Sequence, residues 1–531
     1  MALTFVLFKH GRLYGEWASK GDSIVVQHGR IQAIGYAREL ELQLSGKEYE
    51  TVDWEDAYVL PGLTDSHMHL SMHGMKLAML DLTSATSKEE MLAMLRKRVA
   101  VTPPGEWILG LNWNENAFIP VEIPDIAELD AITDQHPVYL TRTCFHTFLA
   151  NSEAFRRAGI NEDIPDPASG AYGRDADGRL NGLIYEEASF AFTSVQPEPD
   201  YSVKKDTIRR ACMDALRLGL TAAHTEDLRF LGSVETMQQI YRELREEGLP
   251  FRTHQLIYHP FLEEAKVQGL RAGTGNEWFK IGAIKMFADG AIGGRTALLS
   301  EPYSDAPHTC GMAIQPQPEL NQMVAAVRAA GYPVAVHAIG DGAAHMILTA
   351  MEAHALTEES GLPDRLIHGQ VLRGDLVKRM AKLPLIADIQ PRFVASDFPW
   401  VLDRVGKERT EYLYAWKKLL EAGIPCAGGS DAPIEPLNPF LGIHAAVTRA
   451  KPEEMHEGYL PAEKLDVHEA IHLFTTGSAV AAGEADERGT IAEGKAADFT
   501  VIDRDVSESP QALLDVKVRM TVVNGKVAYR S

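Results

Sequence analysis

The sequence predicts an α/β protein: a (β/α)8 TIM barrel, a small β-sandwich built from both chain ends, and an inserted α/β subdomain. Three observations predict it. Seven short apolar strands alternate with helical periods from about residue 206 onward, and an eighth strand stands upstream at "PGLTDSHMHL", residues 61–70. Both chain ends carry short strands broken by Gly turns. The stretch between the first two barrel strands is far longer than a βα connection needs.

Taken in order, residues 1–60 hold "TFVLFKHGRLY", "SIVVQHGRIQAIG" and "YETVDWEDAYVLP", the texture of strands and turns. Residues 486–531 read the same way, with Asn524–Gly525 as a hairpin turn in "VRMTVVNGKVAYR". These two stretches are assigned to one β-sandwich domain, and residues 61–485 to the barrel. An insertion at about 71–205 has its own apolar strands, "EWILGLNW" and "PVYLTRTC". In the barrel, "DTIRRACMDALRLG" precedes "LTAAHTED", "ELNQMVAAVRAAG" precedes "YPVAVHAIGDG", and "TEYLYAWKKLLEAG" precedes "PCAGGSDAP". Leu320, Met323, Val324 and Val327 follow the i, i+3, i+4, i+7 spacing of one helix face. Eight such units in a chain longer than roughly 250 residues suit a closed barrel.

Composition bounds the function. The 531 residues are 45% hydrophobic and 24% charged, as in a globular protein. A formal net charge of −22 excludes a basic nucleic-acid surface. No apolar run approaches the ~18 residues of a membrane span, and "ALTFVLF" lacks the flanks of a signal peptide. The expected location is therefore the cytoplasm. Cys144, Cys212, Cys310 and Cys426 show no paired spacing, which excludes a disulfide framework and a cysteine zinc site.

The chemistry-bearing residues are few. His67 and His69 are two apart on a strand, so their rings point the same way and suit one metal ion. Lys285, His337, His368 and Asp431 fall at the expected C-terminal ends of strands 4, 5, 6 and 8, the rim where barrel active sites form. Singly, each has a plainer reading: a satisfied buried histidine, a helix cap, a snorkelling lysine. Their joint placement points to a metal centre with nitrogen and oxygen ligands, the set that suits zinc.

Together "LPGLTDSHMHL", "IKMFADGAIGGRTALL", "VAVHAIGDGA", "LIHGQVL" and "GGSDAPIEPLNPF", in that order, resemble the metal-dependent amidohydrolase superfamily, in particular amidohydrolase family 3, which includes N-substituted formamide deformylases. The terminal segments "GTIAEGKAADFTVID" and "MTVVNGKVAY" resemble its sandwich strands. The resemblance implies that His67, His69 and Asp431 bind a first metal. It implies a CO2-derived carbamate on Lys285, bridging to a second metal on His337 and His368, hence two zinc ions per chain. One departure stands out. The family usually has Glu-His-Ala at strand 6, where this chain has Ile367–His368–Gly369.

Water bound to zinc loses its proton near pH 7. The expected reaction is attack of that hydroxide on a carbonyl-type carbon, with Asp431 passing the proton to the leaving amine. The expected enzyme is an amidohydrolase cleaving a non-peptide C–N bond, of amide or formamide type. Trp113, His146, Asp289, Arg295 and Arg392 are candidate substrate contacts, and aromatic residues such as Phe287 and Phe393 suit an apolar amine portion. Alternatives are a heterocycle deaminase, a single-metal hydrolase, and a metal-binding regulator without turnover. The expected partner is a small-molecule amide, with a homodimer left open.

Overall fold

Leu63–Met68 (β1) is buried along its whole length and opens an eight-stranded parallel sheet. The other strands are Leu220–Thr225 (β2), Arg252–Tyr258 (β3), Phe279–Phe287 (β4), Val334–Ala338 (β5), Asp364–His368 (β6), Leu385–Ile389 (β7) and Cys426–Gly428 (β8). They pair in chain order. β1, β2 and β7 are buried at every residue, the signature of parallel strands covered on both faces. At the C-terminal rim the circle is drawn shut by two backbone bonds: Asp431 N donates to His67 O (2.7 Å) and His69 N to Ala432 O (2.8 Å). The molecule is a TIM barrel.

This structure is a computed structural model that describes residues 5–15, 18–143, 146–167, 169–357 and 361–531. Cys144 lies outside them; Cys212, Cys310 and Cys426 are free. Among the described residues no helix is long and apolar enough to cross a membrane.

The chain forms two units, Met1–Met72 with Ile208–Ser531, and His73–Thr207. In the first, helices between the strands bury one stripe each. Val234–Glu246 buries Val234, Met237, Ile240, Tyr241 and Leu244, and Ser233 caps it by accepting from Thr236 N. Each such large side chain contributes about 1.5–3 kcal/mol on burial, and the cap about 1 kcal/mol. One expected helix differs. "TEYLYAWKKLLEAG" is helical only over Trp416–Glu421, because Leu413 is drawn into a β-bridge with Val371.

Two further sheets belong to the same unit. One orders Arg30–Gly35, Ser23–Gln27, Phe5–Lys9 and Tyr49–Asp53; the other orders Arg12–Leu13, Tyr58–Pro61, Phe499–Ile502, Val518–Val523 and Lys526–Arg530. They share a core in which Phe8, Trp54 and Phe499 pack with ring centroids 5.3–5.9 Å apart. Asn524 and Gly525 have φ of 54° and 72°, as a tight hairpin turn requires.

The second unit has a six-stranded sheet running from Gly170–Arg174 to Leu80–Asp81. Two apolar clusters cover it, one around Trp113 and Leu140, the other around Tyr139 and Phe192.

Candidate metal centre

The strand register assembles the centre. β4 pairs with β5 so that Phe287 faces His337, and β5 with β6 so that Ala338 faces His368. His67 on β1 and His69, one residue past its end, both turn a ring nitrogen toward Asp431, which the bonds between the β1 end and the loop after β8 set against them. His67 Nε2 and His69 Nε2 each lie 3.4 Å from Asp431 Oδ1, and the three ligand atoms are all within 4.8 Å of one another. Lys285 Nζ is 3.2 Å from His67 Nε2. The His368 ring stands 5.6 Å from that of His67 and 4.5 Å from that of His337. All six predicted ligands therefore converge.

Local backbone geometry aims them. His368 and Gly369 both have positive φ, 75° and 52°, which turns the His368 ring inward at the strand end. Asp65, buried beside them, accepts from His67 N (3.1 Å) and Ser430 N (3.1 Å), tying β1 to the β8 loop. Burial pushes its carboxyl up to about 7. Gly429 makes the same approach possible: a Cβ there would stand 2.5 Å from His67 N and 2.9 Å from Asp65 Oδ1. Gly429→Ala should thus move Asp431 away from the histidine pair and weaken metal affinity by about 10–100-fold, the usual effect of disturbing a ligand's support. Titration against a chromophoric chelator checks this, and unchanged affinity refutes it.

Ring partners set which nitrogen carries a lone pair. A carbonyl oxygen only accepts, so the nitrogen facing it must carry the proton. His69 Nδ1 donates to Glu226 O (3.1 Å), His337 Nε2 to Gly290 O (2.9 Å), and His368 Nδ1 to Gln390 Oε1 (2.6 Å). That leaves the lone pairs on His69 Nε2, His337 Nδ1 and His368 Nε2, the arrangement of metal-ligating histidines. Burial, aided by the Lys285 cation, holds His67 well below its ordinary pKa. Burial likewise lowers His337 well below its ordinary value, and His368 to about 4. These imidazoles are neutral at pH 7, the form that binds metal. Burial pushes Asp431 up, but its contact with His69 and the nearby His368 and Lys285 outweigh this and hold it below the ordinary carboxylate value. Burial lowers Lys285 to about 7. The donor set fits a divalent metal.

Several expected substrate contacts serve other ends. Trp113 is a correction: it is fully buried in the second unit's own core, and its Nε1 donates to Leu140 O (3.0 Å). Asp289 is another. It is buried and accepts from Leu298 N, Ile339 N and Gly340 N at 2.8–3.0 Å, so it fastens its loop instead of facing substrate. Arg295 pairs with Asp305 (2.8 Å), which Arg404 also contacts. His146 is exposed in the second unit and meets Glu186 at 2.8 Å. Arg392 follows β7 at the rim, with Nε 3.5 Å from Glu435 Oε2. Phe287 and Phe393 flank the centre, 5.3 Å from the His337 ring and 6.1 Å from the His368 ring. Asp65, Glu226 and Gln390 are the residues that sequence reasoning missed as supports. Glu226 carried a signal, since it follows directly on a strand end in "AAHTED".

A TIM barrel with a buried His-His-Asp group at its C-terminal rim defines the architecture of a metal-dependent hydrolase. The profile of the amidohydrolase family matches residues 50–529, and the chain belongs to that family. It is 40% identical to the putative amidohydrolase YtcJ of Bacillus subtilis over 98% of each chain. It is 26% identical to the N-substituted formamide deformylase of Arthrobacter pascens, over 96% of this chain and 95% of that one. Among solved structures it resembles an uncharacterized metal-dependent hydrolase from Pyrococcus horikoshii, with a TM-score of 0.77, 30% identity, and coverage of 96% of this chain and 99% of that one.

Proposed function

We propose that this chain hydrolyses a non-peptide C–N bond in a small amide or formamide. It would do so with two zinc ions held by His67, His69, Lys285 as its carbamate, His337, His368 and Asp431. The observation that carries the reading is the convergence of four imidazoles, those of His67, His69 and His368 buried, and one ionised carboxylate on a single rim. The formamide class is supported by the name of the Arthrobacter relative. When bound, the metals would supply an acidified water and polarise the substrate oxygen. Carbamate formation on the neutral Lys285 amine consumes CO2 and releases one proton. Asp431 is the carboxylate whose oxygen lies 3.4 Å from Nε2 of both His67 and His69; it accepts the proton from the attacking water and returns it to the leaving nitrogen. Phe287 and Phe393 present apolar faces to the substrate. The free cysteines support a reducing, cytoplasmic setting, and the net charge of −22 argues against nucleic-acid partners.

The test couples elemental analysis of chelator-free protein to a hydrolysis screen over N-formyl and N-acyl amines, cyclic ureides and aminated heterocycles. About two equivalents of zinc and cleavage of an amide are expected. Under half an equivalent of any transition metal in a fully active sample would refute the metal reading. Deamination of a heterocycle with no amide cleavage would refute the substrate class alone.

A further inference from the structure

Beside the centre stands a cation with no place in the reaction just described. Arg229 sits on the helix Leu228–Leu231 directly after β2. Its Nε donates to Glu226 Oε2 at 2.6 Å, and its backbone N to Glu226 Oε1 at 3.2 Å. Glu226 is buried, and the same Oε2 lies 4.0 Å from Nδ1 of His69. The guanidinium carbon lies 5.2 Å from the Phe287 ring centroid and 5.6 Å from that of Tyr258. Phe287 in turn is 5.3 Å from the His337 ring and 5.0 Å from Lys285 Nζ. The side chain is nevertheless 44% exposed. Among the described residues, Nη1 and Nη2 meet no hydrogen-bond acceptor.

We propose that Arg229 is the anchor of a carboxylate subsite, so that the substrate is an N-acyl or N-formyl amine that also carries a carboxylate, such as the derivative of an aromatic amino acid. The inference rests on the hydrolase reading of the same rim and narrows its substrate class. Glu226 occupies only the Nε side of the guanidinium. The Nη1–Nη2 edge is open, and that edge matches the two oxygens of a planar carboxylate. Rotamer freedom, a large cost for arginine, is already lost to Glu226 and the two rings, so binding an anion orders little more. A single carbonyl oxygen would use half of the fork. Tyr258 and Phe287 line its flank with half-buried aromatic faces, where an aryl group attached next to the carboxylate would rest. The aryl group expected from sequence is kept, but the carboxylate departs from the wholly apolar amine portion expected there.

The experiment uses metal-loaded full-length protein and two probes of equal shape, 3-phenylpropionate and 3-phenylpropionamide, titrated calorimetrically into wild type, Arg229→Met and Arg229→Lys. Wild type should bind the carboxylate at least about tenfold more tightly than the amide. Arg229→Met should abolish that preference, costing the carboxylate at least about tenfold more affinity than the amide, and Arg229→Lys should keep part of it. A kinetic arm compares N-formylphenylalanine with N-formyl-2-phenylethylamine, which differ only in the carboxylate; the preference should reside mainly in KM and vanish in Arg229→Met. A wild type that binds the carboxylate no better than the amide, including no binding of either, overturns the proposal. So does a preference that survives in Arg229→Met, or equal loss of both probes, which would mark a purely structural arginine. If neither formyl compound is hydrolysed but the binding preference holds, the C–N reaction fails and the subsite stands.

Discussion

Asp431→Asn should keep the fold and lose about 10²–10⁴-fold in turnover, the range for removing a positioned acid–base group. Asp431 has a positive φ of 58° and donates its N–H to His67 O. Asn is among the residues that tolerate this region and preserves that bond, so the rim stays closed. Asp431 Oδ1 stands 3.4 Å from both His67 Nε2 and His69 Nε2, and its environment holds it ionised. A carboxamide has the same volume but no charge, so it is a poorer ligand and takes no proton. Turnover of the metal-reconstituted variant, with its melting temperature and metal content, decides the matter. Turnover near wild type with metal bound would remove Asp431 from its assigned role.

The barrel and the ligand positions were legible because they obey short-range rules. Period-two spacing put His67 and His69 on one face, and helix periodicity counted the strands whose ends carry Lys285, His337 and His368. The supports were not legible, because each depends on contacts between residues distant in sequence. Nothing near Gln390 announces that it holds His368, and "DRLIHG" gives no hint that His368 and Gly369 turn through positive φ. The loss of the family's carboxylate at Ile367 has a simple structural account: Ile367 packs with Leu256, Ala283 and Ala335. Asp289, Arg295 and Trp113 misled because polar and aromatic residues near a strand end read alike whether they face substrate or fasten a loop. Only burial and partners separate the two.

The hardest feature to foresee is a charge pair inside the barrel, and it yields the largest expected loss of stability. Arg365 on β6 and Asp388 on β7 have side-chain exposures of 1% and 0%. Arg365 Nε donates to Asp388 Oδ2 at 3.0 Å, Nη2 contacts both Asp388 and Ser66 O, and Nη1 lies 3.1 Å from His224 Nδ1. Ser66 Oγ donates to Asp388 Oδ1 at 2.5 Å. The guanidinium thus braces β1, β6 and β7 just beneath His67 and His368. Arg365→Met fills similar space but strands Asp388 without its counter-ion, and breaking a buried pair this way costs about 3–5 kcal/mol. The deficit should depend on pH with a definite sign. Burial already pushes Asp388 up, against the pull of Arg365, and losing the cation raises it further. The folded variant then holds a proton that the unfolded chain releases above about pH 4, so its stability falls as pH rises from there toward the folded value. Chemical denaturation of metal-free protein between pH 5 and 8 should show the gap from wild type widening with pH. Replacing both partners with apolar residues should recover much of the loss, since no charge is then left alone. A deficit under about 1 kcal/mol, well short of the buried-pair range, would mean that water reaches Asp388 and that the pair is not the brace its geometry describes.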